Sequence, residues 1–118
     1  MDSKGKRFRE LLARPGLLLR PCAYDALSAV LIERAGFDAV GTSGYGISAS
    51  LIGQPDMGLI GYHEMLERTR TIVNAVTLPV DVDVDTGYGN ALNVYWTVKN
   101  FARVGAAGVR VADQTWPK

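Results

Sequence analysis

Three aspartates lie at alternate positions in the segment LPVDVDVDTGYGN, residues 78–90. Single valines separate Asp81, Asp83 and Asp85, and such an alternation is typical of a β-strand with two different faces. Carboxylates crowded in a low-dielectric interior repel one another, and they stay ionised only beside a counter-charge. Oxygen ligands of this kind favour Mg²⁺, with Mn²⁺ as an alternative. The pattern therefore indicates a divalent-metal site.

A second interpretation of the aspartates needs no metal. One or more of them would then make hydrogen bonds in a turn or in the interior, with Arg110 as the ion-pair partner. Arg110 belongs to the next predicted strand and shares the inward-facing parity of the aspartates. The residue pattern alone leaves both interpretations open. Just beyond the aspartates, Gly87 and Gly89 would let the backbone approach a ligand closely.

The elements that must position these residues alternate along the chain. Apolar spacing and turn residues predict helices over 5–14, 24–36, 63–76 and 91–104, and strands over 17–23, 37–44, 79–85 and 108–112. The glycine-rich segment 44–62 is long for a connection in a small domain, and its apolar residues predict an ordered, functional loop.

Strands that alternate with helices predict right-handed βαβ units and a parallel sheet, an α/β fold. A doubly wound sheet would place a glycine-rich phosphate turn after the first strand, and RPCAYDA contains no such glycines. A (β/α)8 barrel places functional groups at the carboxyl ends of several strands, as this sequence does. A barrel needs about 250 residues. We therefore expect residues 1–118 to form a single partial (β/α)8-barrel domain, its first half, truncated after strand four.

Composition narrows the class of protein. The net charge is +1, from 13 basic and 12 acidic residues, so nucleic acid and anionic membrane are not the expected partners. The chain has no apolar run long enough to span a bilayer. Its charged N-terminus and single cysteine predict a cytoplasmic protein without disulfides.

Five segments of the chain resemble one known family. They are PCAYDALSA, AGFDAVGTSGYG, QPDMGL, the aspartate–glycine segment and ADQTWPK, at 21–29, 35–46, 54–59, 78–90 and 112–118. Together they are similar to the isocitrate lyase/phosphoenolpyruvate mutase superfamily, in its branch of methylisocitrate lyases and phosphonomutases. The resemblance implies a (β/α)8 barrel that assembles as a homo-oligomer, a tetramer at full length. It also implies a Mg²⁺-dependent enzyme whose substrates are small 2-oxo or 2-hydroxy acids.

The resemblance also implies roles for individual residues. Asp83 matches the principal metal-binding aspartate, and Asp85 matches the second acid of the pair. Asp56 matches an aspartate in the outer shell of the metal and is a candidate catalytic residue. The remaining candidates are the substrate-binding residues Ser43, Gly44, Tyr45 and Asp83, and the catalytic Lys118, which matches the lysine that opens a mobile gating loop.

The implied reaction is cleavage of a C–C bond in an acid such as methylisocitrate or oxaloacetate, through an enolate. One alternative is C–P chemistry, as in phosphoenolpyruvate phosphonomutase or phosphonopyruvate hydrolase. Another is a catalytically inactive, truncated barrel fragment. Ala112 replaces a glutamate that normally supports the metal in this family, which predicts weaker metal binding. Trp116 falls at the mouth of the barrel, where packing is the favoured role and covering the site is the alternative.

Overall fold

A computed structural model describes residues 3–117, which form four parallel strands and five helices. In chain order the elements are α1 (Lys4–Ala13), β1 (Cys22–Ala23), α2 (Ala26–Arg34), β2 (Val40–Thr42), α3 (Gly44–Ile52), α4 (Tyr62–Ala75), β3 (Val80–Asp83), α5 (Ala91–Arg103) and β4 (Gly108–Arg110). The strands are hydrogen-bonded in the order β1-β2-β3-β4, all parallel. The predicted α/β class and the order of the four strands are therefore confirmed. Each strand is shorter than predicted.

The valines and aspartates of β3 separate onto the two faces of the sheet. Val80, Val82 and Val84 are fully buried on the face covered by helices, in a core that includes Ile72 of α4 and Phe101 of α5. The aspartates lie on the other face, which we call the inner face because it would line the interior of a closed barrel. This arrangement follows from the two-residue repeat of a strand.

The first helix closes the amino-terminal end of the sheet. Phe8 and Leu11 of α1 form a small core with Ala39, which directly precedes β2. A β-carbon built on Gly108, the first residue of β4, would lie 3.1 Å from the Phe8 ring. The inner face is thus covered at this end, and functional groups are left to gather at the carboxyl ends of the strands.

The segment 44–62 is not the continuous loop that the sequence predicts, because its first half is helix α3. Ser43 caps this helix with its side-chain oxygen, which accepts a hydrogen bond from the Gly46 N–H. Gly53 ends the helix in the left-handed conformation, with φ 64°. Ile47 and Ser48 are buried on the packed side. The glycines of GYG suggested a loop, but two good caps and buried packing outweigh their low helix propensity.

No helix within residues 3–117 has the length and apolar character needed to cross a bilayer.

Candidate functional site

Asp81 is the deepest of the three aspartates and is neutralised by two arginines. Its carboxylate oxygen Oδ2 lies 2.8 Å from Arg20 Nη1 and 2.9 Å from Arg110 Nε. The Asp81 side chain is only 6% exposed. Arg110 also donates a hydrogen bond of 2.6 Å to the Thr42 carbonyl. The interpretation with an arginine partner is thus correct for Asp81, and the counter-charge there is not a metal.

Glycine at position 41 gives Arg20 its route to Asp81. In the sheet register, Gly41 of β2 lies between Cys22 of β1 and Asp81 of β3. A β-carbon at Gly41 would overlap the Arg20 guanidinium group. Because Gly41 has no side chain, the Arg20 side chain can lie over β2 and contact Asp81 on β3.

Asp83 ends β3 beside the N-terminus of α3. Its Oδ2 accepts a hydrogen bond of 3.3 Å from the Gly44 N–H, and its Oδ1 accepts one of 3.0 Å from the Asp85 N–H. The Asp83 N–H donates to Thr42 Oγ1 at 2.9 Å. The Asp83 carboxylate is therefore held by backbone N–H groups at the positive end of the α3 dipole.

Asp56 converges on the same point from the loop that follows α3. A β-carbon built on Gly44 would lie 3.0 Å from Asp83 Oδ2 and 3.6 Å from Asp56 Oδ2. Both carboxylates therefore border one small space beside the Gly44 backbone, and that space exists because residue 44 has no side chain. The structure thus brings together three of the predicted site residues.

The loop that carries Asp56 is held from two sides. The buried Ser48 hydroxyl on α3 lies 2.9 Å from the Gln54 carbonyl oxygen and 3.1 Å from that of Pro55. On the other side, Trp116 packs against Gly58, where a β-carbon would lie 2.9 Å from Trp116 Cζ2. The packing role of Trp116 is therefore seen directly, and its partner is the loop of a site residue.

Asp85 lies just beyond β3 in a turn that also brings in Tyr88. Asp85 is 5% exposed and has φ 48°, and its carbonyl accepts a hydrogen bond of 2.7 Å from the Ala112 N–H. The Tyr88 hydroxyl is buried and faces the carboxylates. Burial, and after it the negative charges of Asp85, Asp83 and Asp56, raise the pKa of Tyr88. The phenol is therefore neutral and available as a hydrogen-bond donor.

The other predicted residues that the structure describes do not bring a side chain to the pair of carboxylates. Tyr45 belongs to the first turn of α3, but its side chain is 67% exposed. Ser43 is adjacent to Gly44, and its side-chain oxygen caps the helix. Lys118 lies outside the described residues.

The arrangement of the carboxylates is compatible with one particular mode of Mg²⁺ binding. Within residues 3–117, no three Asp, Glu, His or Cys side chains are close enough to bind one ion together. Mg²⁺ in proteins is usually held by one or two carboxylates, with water and substrate oxygens as its other ligands. The pair Asp83 and Asp56, beside the backbone of Gly44, matches that mode and does not match an all-protein cage.

Comparison with known proteins agrees with this geometry. A sequence model of the family described as phosphoenolpyruvate phosphomutase matches residues 8–118. The chain belongs to this family. The resemblance to the isocitrate lyase/phosphoenolpyruvate mutase superfamily is thereby confirmed.

Two curated relatives are equally similar to the chain. A 2,3-dimethylmalate lyase of Eubacterium barkeri is 47% identical over 112 residues, which are 95% of this chain and 39% of the lyase. A chloroplastic carboxyvinyl-carboxyphosphonate phosphorylmutase of Arabidopsis thaliana is 47% identical over 113 residues, which are 95% of this chain and 33% of the mutase. Family members thus include both lyases and mutases.

A solved structure supports the fold. Phosphonopyruvate hydrolase in complex with oxalate and Mg²⁺ has a TM-score of 0.93 at 35% identity, covering 99% of this chain and 41% of that one. The chain therefore spans about a third to two fifths of the length of these relatives. A partial barrel, as predicted, fits this coverage.

Three residues that shape the site were missed by sequence reasoning. Arg20 precedes a strand and resembles an ordinary exposed arginine. Ser48 lies in the segment interpreted as a loop. Tyr88 stands between two glycines, and neither its left-handed backbone nor its direction can be deduced from its neighbours. A serine before a glycine-rich segment with spaced apolar residues is a helix-capping signal that could have revealed α3, and with it Ser48.

Proposed function

We propose that this chain carries the metal- and substrate-binding half of a Mg²⁺-dependent carbon–carbon lyase site for 2-oxo and 2-hydroxy acids. The observation that carries the proposal is the convergence of Asp83 and Asp56 on the Gly44 backbone, at the N-terminus of α3. The family membership supports the same chemistry.

In this proposal Asp83 would be the principal residue that holds the metal, and Asp85 and Asp56 would be its supporting acids. Asp83 is suited to this role because it ends β3 at the carboxyl edge of the sheet, where a barrel places its chemistry. When bound, the ion would act as a Lewis acid toward the carboxylate and keto oxygens of a 2-oxo acid, which favours an enolate on breaking the adjacent bond.

The N-terminus of α3 is the proposed binding site for the substrate carboxylate. The Gly44 N–H already donates to Asp83. The Tyr45 N–H lies in the first turn, where backbone donors have no partner inside the helix. Together with the Ser43 hydroxyl and the helix dipole, it would stabilise an anionic ligand. Tyr45 would then contribute through its backbone, which agrees with its exposed side chain.

The preferred substrates are acids such as methylisocitrate or oxaloacetate, cleaved at a C–C bond. Similarity to a dimethylmalate lyase supports this choice. Equal similarity to a phosphorylmutase makes C–P chemistry the second candidate. Incubation with each class of substrate, followed by NMR detection of products, separates the two, because only C–C cleavage divides the carbon skeleton of the substrate into two shorter products.

The binding proposal is tested with Mn²⁺ as a spectroscopic substitute for Mg²⁺. We expect oxalate, a planar enolate mimic, to increase Mn²⁺ binding to the 118-residue chain, measured as loss of the free-ion EPR signal. Asp83→Asn should abolish the oxalate-dependent binding. Asp113→Asn is the matched control, because Asp113 is exposed beyond β4, and it should bind as the wild type does.

A folded wild-type chain that binds no Mn²⁺ with oxalate would contradict the proposal and favour the inactive-fragment alternative. Circular dichroism on the same sample establishes folding. Sedimentation equilibrium tests the expected self-association, which would cover the open edges of β1 and β4. Cytoplasmic location, proposed from the single cysteine, is tested by cell fractionation.

A further inference from the structure

The turn after β3 is conformationally strained at two residues. Asp85 has φ 48° and Tyr88 has φ 64°, both in the left-handed backbone region that residues other than glycine rarely adopt. The glycines between and after them, Gly87 and Gly89, also have positive φ, 94° and 143°. Strain of this kind persists only where the surrounding structure imposes it, and it is concentrated at functional sites.

Two hydrogen bonds tie this turn to later parts of the chain. The buried Thr97 hydroxyl of α5 donates to the Gly87 carbonyl at 3.0 Å. The Ala112 N–H, after β4, donates to the Asp85 carbonyl at 2.7 Å. The turn is thus tied to a helix on one side and to a strand end on the other, and neither tie uses a side chain of the turn.

The aromatic ring of Tyr88 is a third anchor. It packs edge-to-face on Tyr62, with ring centroids 5.8 Å apart at 82°, and Tyr62 packs in the same way on Phe101 at 5.9 Å. Phe101 is fully buried in the main core. The ring therefore belongs to the helix-covered core, while the hydroxyl at its tip points back to the carboxylates.

The Tyr88 hydroxyl oxygen is buried, and its hydrogen-bonding neighbour is the Asp85 carboxylate, although within residues 3–117 no contact of this hydroxyl has the geometry of a well-aligned hydrogen bond. Buried polar groups are nearly always paired, so an exception needs an explanation. Asp85, Asp83 and Asp56 all act on it electrostatically.

We propose that Tyr88 is a positioning residue of this site, whose hydroxyl donates to the Asp85 carboxylate and fixes its orientation toward bound metal and 2-oxo acid. The inference rests on the proposed function and adds to it. The core-packed ring fixes the distance of the donor, and the strained turn fixes the direction of the acceptor. Partners that orient a carboxylate near a metal typically contribute about 10- to 100-fold to metal affinity.

The first test compares Tyr88→Phe, which removes only the hydroxyl, with Tyr95→Phe, a matched change at a tyrosine 63% exposed on α5. We expect Tyr88→Phe to weaken oxalate-dependent Mn²⁺ binding about tenfold with an unchanged unfolding midpoint, because the ring and its packing remain. Tyr95→Phe should change neither. Wild-type affinity in Tyr88→Phe would overturn the proposal.

The second test examines the contact without any ligand. A buried hydroxyl proton shared with a carboxylate exchanges slowly, so we expect a separate downfield proton NMR signal that is absent in Tyr88→Phe. Asp85→Asn should shift this signal, and Asp113→Asn should not. A signal that is absent from the wild type, or unaffected by Asp85→Asn, would overturn the contact. If the wild-type chain shows the signal but binds no Mn²⁺ with oxalate, the proposed function fails and the Tyr88–Asp85 contact stands.

Discussion

The pairing of Asp81 with two arginines gives a prediction about folding stability. Replacing Asp81 with asparagine keeps the shape of the side chain and removes its charge. Arg20 and Arg110 both rely on the same oxygen, Oδ2, at 2.8 and 2.9 Å. The substitution would therefore leave two guanidinium groups facing each other without their anion. We expect Asp81→Asn to cost more than the loss of either arginine.

The size of this effect follows from burial. Removing one partner of a fully buried ion pair costs about 3–5 kcal/mol. The side chains of Arg20 and Arg110 are 26% and 41% exposed, so water recovers part of that cost. We therefore expect about 2–3 kcal/mol for Asp81→Asn. Arg20→Gln and Arg110→Gln should cost about 1 kcal/mol each, because Asp81 keeps its other arginine.

The assay is urea unfolding at pH 7, followed by far-ultraviolet circular dichroism. A loss of stability appears as a lower midpoint at unchanged slope. Asp113→Asn, which removes the charge of an exposed aspartate, is the control and should shift the midpoint very little. The double variant Arg20→Gln with Asp81→Asn should cost less than the two single changes added together, because the two residues interact directly.

Two results would contradict a shared counter-charge at Asp81. If Asp81→Asn costs no more than Asp113→Asn, the carboxylate is not the shared counter-charge of the arginines. If the double variant is strictly additive, the Arg20–Asp81 contact does not contribute to folding. In either case the charge on the inner face would need another explanation.

Three further predictions concern other parts of the chain. Gly58→Ala should displace the Trp116 indole, because a β-carbon at Gly58 would lie 2.9 Å from the indole and the φ of Gly58 is 77°. The expected red shift in tryptophan fluorescence is measured in a Trp96→Phe background. An unshifted spectrum would contradict the packing of Trp116 on Gly58. Hydrogen bonds from Thr77, first its hydroxyl and then its N–H, lower the pKa of Glu33. The stabilisation that these hydrogen bonds give the fold is fully present above the ordinary glutamate pKa of about 4.3 and is lost as pH falls through the lowered pKa of Glu33. The urea midpoint of the wild type should therefore fall in acid more than that of Glu33→Gln. Parallel pH profiles of the two proteins would show that Glu33 does not contribute to stability in this way. Ala112→Glu should strengthen oxalate-dependent Mn²⁺ binding about tenfold, because the backbone of residue 112 is hydrogen-bonded to Asp85. Unchanged affinity in the EPR titration would show that alanine at position 112 does not weaken metal binding.

The sequence predicted the sheet because local rules decide it. The alternation of Asp81 to Asp85 with valines follows the two-residue repeat of a strand, and the structure keeps the valines on the helix-covered face. Helix α3 was missed because GYG carries two glycines of low helix propensity. Its stability comes instead from the Ser43 cap and from burial of Ile47, and burial cannot be deduced before the fold is known.

The partners of the charged residues could be predicted only in part. The pairing of Asp81 with Arg110 follows from strand parity, since the two belong to neighbouring strands. Arg20 lies two strands away and reaches Asp81 only because residue 41 is glycine. That contact depends on the register of β1 against β2, which no local pattern determines. Tyr88 is similar, because the direction of its hydroxyl depends on a turn held by α5 and by the residue after β4.

The three aspartates therefore share a spacing and differ in chemistry. A cation at Asp81 would meet two guanidinium groups already bound to one carboxylate oxygen, so repulsion excludes it there. Two residues further along β3, Asp83 accepts hydrogen bonds from backbone N–H groups, which satisfy its oxygens without adding a full positive charge. Asp85, beyond the strand, faces a neutral phenol. The arginines thus confine the proposed metal site to the carboxyl edge of the sheet, and in this proposal the depth of each aspartate decides its role.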